Sequence, residues 1–168
     1  ERELRLGLNW YLETRVRRVA PAEGGISLEI PLLEGESVTT REMQVEAGKA
    51  IVALQPGEDT QTWYSALDKS SLIKLEAPDT ALWSEHWIVN PSALWHLQFE
   101  GLPMVKESGA VSQWRPRWRP YPGEQLNLTI TRPEAVQGAT QTIDWIRQTW
   151  EPGQRESLGK LRMHVITS

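Results

Sequence analysis

Apolar and polar residues alternate along much of this chain with a period of two. In "LRLGLNWYLETRV", Leu4, Leu6, Leu8, Trp10 and Leu12 fall on one side and Val16 continues the row. Arg5, Gly7, Asn9, Tyr11, Glu13 and Arg15 fall on the other. This is the pattern of a half-buried strand; helical spacing would scatter the same leucines around an axis. The run therefore predicts an N-terminal strand with Leu8 in the core and Arg5, Glu13 and Arg15 outside it.

The pattern recurs between turn signals. "APAEGG" breaks the first run, and "ISLEIPLL" resumes it through Ile26, Leu28 and Ile30, with Pro31 indicating an edge or a bulge. "REMQVEAGKAIVAL" predicts a hairpin turning near Ala47-Gly48, with Met43 and Val45 facing Ile51 and Ala53. Further short runs follow at "TQTWYSAL", "SLIKLEA", "WSEHWIV", "ALWHLQFEG", "EQLNLTIT", "TQTIDWI" and "SLGKLRMHVIT". Helix is confined to a turn or two near Ser65–Ser71 and Arg132–Val136. Short strands with turns every 8–12 residues mark an all-β chain, an antiparallel sandwich of jelly-roll-like kind. The polar, proline-containing "EAPDTAL" suggests two lobes, 1–80 and a Trp-rich 81–168; one continuous sandwich over 1–168 is the alternative. "PGE" at Pro56–Glu58 and again at Pro122–Glu124, with "PGQ" at Pro152–Gln154, reads as shared turn chemistry.

Composition narrows the picture. The 168 residues suffice for a substantial core, and the net charge of −4 argues against a nucleic-acid partner. With no cysteine there is neither a disulfide framework nor a thiolate metal site. The sequence holds no nucleophile elbow and no glycine-rich phosphate loop. His86 and His96, on successive strand-like runs, make at best part of a zinc site. Carboxylates such as Glu34 and Glu36 read as solvated turn residues. No enzyme, cofactor or metal is expected.

What stands out is tryptophan, nine residues against a single phenylalanine. The densest stretch is "QWRPRWRPYPGEQ" (113–125). In extended chain Trp114, Pro116, Trp118 and Pro120 share one side, and Arg115, Arg117 and Arg119 the other. Such a stretch is either an exposed aromatic platform for sugars or lipid headgroups, or a stiff connector whose rings pack on the sheet. Trp114, Arg115, Arg117, Trp118, Arg119 and Tyr121 are the candidate interaction surface. The connector reading has both indole rings packed on protein and an arginine stacked or paired with a carboxylate.

Four stretches carry a resemblance: "IPLLEGESVTT" (30–40), "SEHWIVNPSALWHLQFEGLP" (84–103), "WRPYPGEQLNLTITRPEAVQGATQTID" (118–144) and the terminal strand. They resemble the extracytoplasmic region of a family of large, uncharacterised Gram-negative inner-membrane proteins. The match runs through Trp87, Val89, Trp95 and His96, the Gly101-Pro103 turn and Trp118–Glu124. It continues through Thr131–Glu134, Gly138 and Thr140. Trp145 and Trp150 depart from the pattern. The resemblance implies a periplasmic β domain tethered to the inner membrane through segments outside this sequence, with no catalytic residues to carry over. Its implied partners are the rest of its own membrane-spanning chain, other envelope proteins or glycans. A glycan-binding jelly-roll module is the alternative function.

Overall fold

The structure, a computed structural model, describes residues 1–20, 23–105, 114–133, 141–153 and 156–167. The chain is all-β, with no helix among the described residues. It divides into two compact units, Glu1–Pro133 and Glu134–Ser168. Where a short helix was expected at Ser65–Ser71, residues 65–67 end one strand and 68–71 connect it to the next. The one read at Arg132–Val136, and the matched positions Glu134, Gly138 and Thr140, fall largely or wholly outside the described residues.

The first unit contains twelve strands: β1 (Arg2–Leu6), β2 (Trp10–Arg17), β3 (Ile26–Pro31), β4 (Glu36–Val38), β5 (Gln44–Glu46) and β6 (Lys49–Leu54). They continue with β7 (Thr60–Leu67), β8 (Leu72–Glu76), β9 (Trp87–Pro91), β10 (His96–Glu100), β11 (Arg117–Trp118) and β12 (Gln125–Thr131). A six-stranded sheet has the order β11-β9-β1-β2-β7-β4, and two three-stranded sheets have the orders β10-β12-β8 and β3-β6-β5. Every pairing is antiparallel except β1 with β9. The boundary expected near residue 80 is bridged by pairing in two of these sheets: β1 bonds to β9, and β8 bonds to β12.

One face of the six-stranded sheet supplies both halves of the core. Leu4, Leu6, Trp10, Leu12, Trp87 and Trp118 pack against Leu75, Leu126 and Leu128 of the β10-β12-β8 sheet. Farther along the same face, Trp63 packs against Ile30, Ala50, Val52 and Leu54 of the β3-β6-β5 sheet. The architecture is thus sandwich-like, one long sheet against two short ones. Pro31 ends β3, an edge strand, where its missing N–H costs nothing.

Two predicted registers are corrected, both by loop length. The N-terminal run is two strands, not one, joined by Gly7–Asn9, with Leu6 paired to Trp10. A three-residue loop keeps even-numbered residues on one face of both arms, so alternation passes through the turn unbroken. Leu8 sits at the apex and is 77% exposed. At the second hairpin Ala47 (φ 48°) and Gly48 (φ 74°) form a two-residue turn with both central residues left-handed. Its register pairs Val45 with Ala50, so Ala50, Val52 and Leu54 enter the core instead of Ile51 and Ala53.

Between the two apolar clusters lies a buried polar group that no alternation reveals. The Arg2 guanidinium donates from Nε to Glu85 Oε2 (3.1 Å) and from Nη2 to the Pro31 carbonyl (2.8 Å). Glu85 also accepts from the Trp87 indole (2.6 Å). Glu36, expected to be solvated, has a fully buried side chain; its carboxylate accepts from Ser65 Oγ (2.8 Å) and the Leu33 amide (2.8 Å), 3.9 Å from Arg2.

The second unit is a hairpin of β13 (Gln141–Pro152) and β14 (Ser157–Thr167). A bulge between Ile143 and Trp145 shifts the register by one residue. That shift puts Ile143 with Val165, Ile146 with Met163, Leu161 and Trp150 on one face. The other face holds Arg147, Arg162, Glu151, Lys160 and His164 together with Trp145, Leu158 and Ile166, and Trp145 stacks on His164 (6.3 Å between ring centroids).

Two stability predictions follow from these positions. In urea unfolding Leu12→Ala should cost about 2–5 kcal/mol, as for a buried leucine, and Leu8→Ala within about 0.5 kcal/mol of zero. Equal losses at the two sites would contradict the three-residue loop. Glu85→Ala should cost about 3–5 kcal/mol, because it strands a buried guanidinium; a loss below about 1 kcal/mol would show Arg2 to be solvated.

Candidate functional site

The Trp–Arg stretch is divided by the sheet it joins. Residues 117 and 118 form β11, paired to β9 with Trp118 opposite Trp87. Successive side chains of a strand point to opposite faces. Trp118 therefore enters the core, 1% exposed, with its ring edge-to-face on Phe99 (5.2 Å). Trp114 stays outside, 53% exposed, and Tyr121 is 76% exposed. Arg115 and Arg117 are half-buried and Arg119 is exposed. The six candidate residues thus do not form one surface: Trp118 belongs to the core, and Tyr121 to a turn beyond β11.

That turn explains the repeated "PGE". Glu124 N–H donates to the Tyr121 carbonyl (3.1 Å), and the Tyr121 N–H donates back to the Glu124 carboxylate (2.7 Å). Gly123 takes φ 79°, which the third position of this turn requires. Gln55–Glu58 makes the same pair of bonds, and so does Leu33–Glu36 with Glu34 in place of proline. The glutamate in each case holds the turn closed.

Arg115 ties the stretch to the outer face of the long sheet. It bonds Glu3 (2.8 Å); Glu3 meets Arg5 (3.2 Å); Arg5 bonds Glu13 (2.7 Å); Glu13 bonds Arg15 (2.8 Å). Glu3 and Glu13 are direct cross-strand partners. Two carboxylates opposite one another repel; Arg5, bonded to both, turns the repulsion into a ladder. Arg5 and Arg15 are about half exposed, so their links to Glu13 contribute no more than about 1 kcal/mol each; Arg115 is more enclosed.

Beside this ladder lies a groove of about 820 Å³, walled by Leu8, Tyr11, Trp95 and Trp114, with Arg5 and Asn90 among its polar groups. Its wall is fixed from behind. The Trp95 indole donates to the Gly7 carbonyl (2.9 Å) and packs edge-to-face on Trp10 (5.3 Å). The Ser92 amide donates to the Leu6 carbonyl (2.9 Å). Leu8, Tyr11, Trp95 and Asn90 were not singled out from the sequence as site residues. The exposed Leu8 would have pointed to them had the hairpin loop been recognised.

His86 and His96 stand on different sheets, His86 just before β9 and His96 opening β10. Partial desolvation, and then Arg119, hold His86 below the ordinary histidine range. Among the described residues no three metal-ligating side chains come together. No helix among them is long and apolar enough to cross a membrane.

In comparisons with protein-family models, curated proteins and solved structures, nothing matches the chain.

The two tryptophans of the stretch should separate on mutation. Trp118→Ala should lower stability by about 3–5 kcal/mol, and Trp114→Ala by no more than about 0.5 kcal/mol. Chemical denaturation of the two single variants reads this directly; equal losses would mean that Trp114 packs as fully as Trp118.

Proposed function

We propose that this chain is a non-enzymatic interaction and structural domain of a larger membrane protein, lying in the periplasm and tethered to the inner membrane. The observation that carries the interaction role is the β13–β14 hairpin. Six large apolar side chains share one of its faces, each 41–62% exposed. A two-stranded hairpin is marginal in water without a covered face, and an apolar patch of this extent marks a contact surface. The periplasmic location is supported by the resemblance of residues 84–103 and 118–144 to the extracytoplasmic region of inner-membrane proteins. The partners that fit are the remainder of the parent chain and other envelope proteins.

A second reading, a glycan-binding module, is favoured by one feature. Trp114 and Tyr11 present exposed rings in an open groove that also holds the Arg5 guanidinium and the Asn90 amide. Aromatic faces flanked by hydrogen-bonding groups suit sugar rings.

Protease accessibility in Gram-negative cells tests the first reading. An epitope placed at the Gly57 turn of the full-length parent should be digested once the outer membrane is permeabilised, while the inner membrane is intact. Protection until the inner membrane is lysed would place the domain on the cytoplasmic side. For the second reading, Trp114→Ala should abolish binding to cell-wall glycans; equal binding by variant and parent would remove the groove from the account.

A further inference from the structure

We propose that the β13–β14 hairpin is a self-pairing element, through which two copies of this chain associate face to face. The inference rests on reading the chain as an interaction domain and names the partner of that surface.

The face carries Ile143, Ile146, Trp150, Leu161, Met163 and Val165, with the uncharged Gln148 opposite Leu161 and Gly159 opposite Trp150. The bulge at Ile143/Trp145 is what unites it. Without the extra residue Ile143 would point to the polar side, and the apolar row would end at Ile146. The same bulge sets Trp145 opposite His164 on the other face, so it serves the stack there and extends the apolar row here.

Three properties fit the face to a copy of itself. It is level: the Trp150 ring lies across the cross-strand Gly159, where an added Cβ would meet ring carbons at 3.2 Å. A large indole beside a residue without a side chain fills the gap instead of standing proud. It is also uncharged. Arg147, Arg162, Lys160 and Glu151 all lie on the opposite face, so no like-charge contact opposes pairing about a two-fold axis. Finally, it is large enough. Strands of 11 and 12 residues run about 36 Å at some 3.3 Å per residue. Two such faces, stacked at the usual sheet spacing of about 10 Å, bury on the order of 1,000 Å² together. That is the lower bound for a specific interface.

The chain has no cysteine, which makes the test unambiguous. Sedimentation velocity of the whole chain should show a concentration-dependent monomer–dimer equilibrium. Ile146→Cys should cross-link between copies with a short bismaleimide, and Arg147→Cys, on the opposite face, should not. Met163→Lys should weaken association at least tenfold, while melting of the first unit stays at the parent temperature.

A dimer that Met163→Lys leaves intact, or that does not cross-link at residue 146, overturns the proposal. A monomer that binds a hydrophobic dye through this face also overturns it, but leaves the docking surface to another protein. A monomer that binds anionic vesicles overturns it in favour of a lipid occupant. A monomer that binds neither, with Met163→Lys silent, overturns both this proposal and the interaction role of the hairpin.

Discussion

The first unit depends on one buried cation. Arg2 lies on the inner face of the long sheet, where the two apolar clusters meet, and it reaches three separate stretches of chain. Its bonds to Glu85 fix the approach to β9, its bond to the Pro31 carbonyl fixes the end of β3, and Glu36 stands beside it from β4. Apolar contacts are non-directional and tolerate sliding. A guanidinium with several buried acceptors does not, because each unmade bond leaves a desolvated group. The cluster sets how the long sheet registers against the β3-β6-β5 sheet, while the leucines and tryptophans supply the free energy of burial on either side.

The functional features sit at the margins of that frame. The groove depends on the Gly7–Asn9 loop, which the Trp95 indole and the Ser92 amide hold against the β9–β10 connection. The Trp–Arg stretch crosses from the outer face to the core within a few residues, because β11 pairs with β9 and must obey the pleat. One indole of the stretch is thereby structural and the other is available. Arg115, between them, pairs with Glu3 on the long sheet, where Arg5 pairs with the facing Glu13.

Much of the fold was legible in the sequence. The core residues of β1, β2 and β12 follow from period-two alternation, and the all-β class from its recurrence between turns. What alternation cannot report is the parity of a loop. A three-residue loop hid the β1–β2 hairpin, and a two-residue turn flipped the face assigned to β6. Nor can it report long-range pairing, so the parallel β1–β9 contact across the expected lobe boundary was invisible. Glu36 read as a solvated turn carboxylate, since the arginine beside its buried side chain lies far away in sequence. Of the candidate surface, Trp114 stands at the groove. Trp118 does not, because which indole points inward depends on the strand that receives the stretch.

The parallel pairing of β1 with β9 has a consequence for the order of events in biogenesis. β1 occupies the interior of the six-stranded sheet, yet one of its two edges has no partner until β9 has been made. Arg2 and Glu85 are 83 residues apart, so the β1–β2 hairpin must wait, its apolar face and one edge open, while most of the unit is synthesised. At ordinary elongation rates of about 5–20 residues per second that wait lasts several seconds. Slow, non-local closure of this kind exposes a nascent strand to wrong partners. The charged ladder of Glu3, Arg5 and Glu13 then matters before the fold exists as well as after, since it keeps one side of the waiting hairpin soluble.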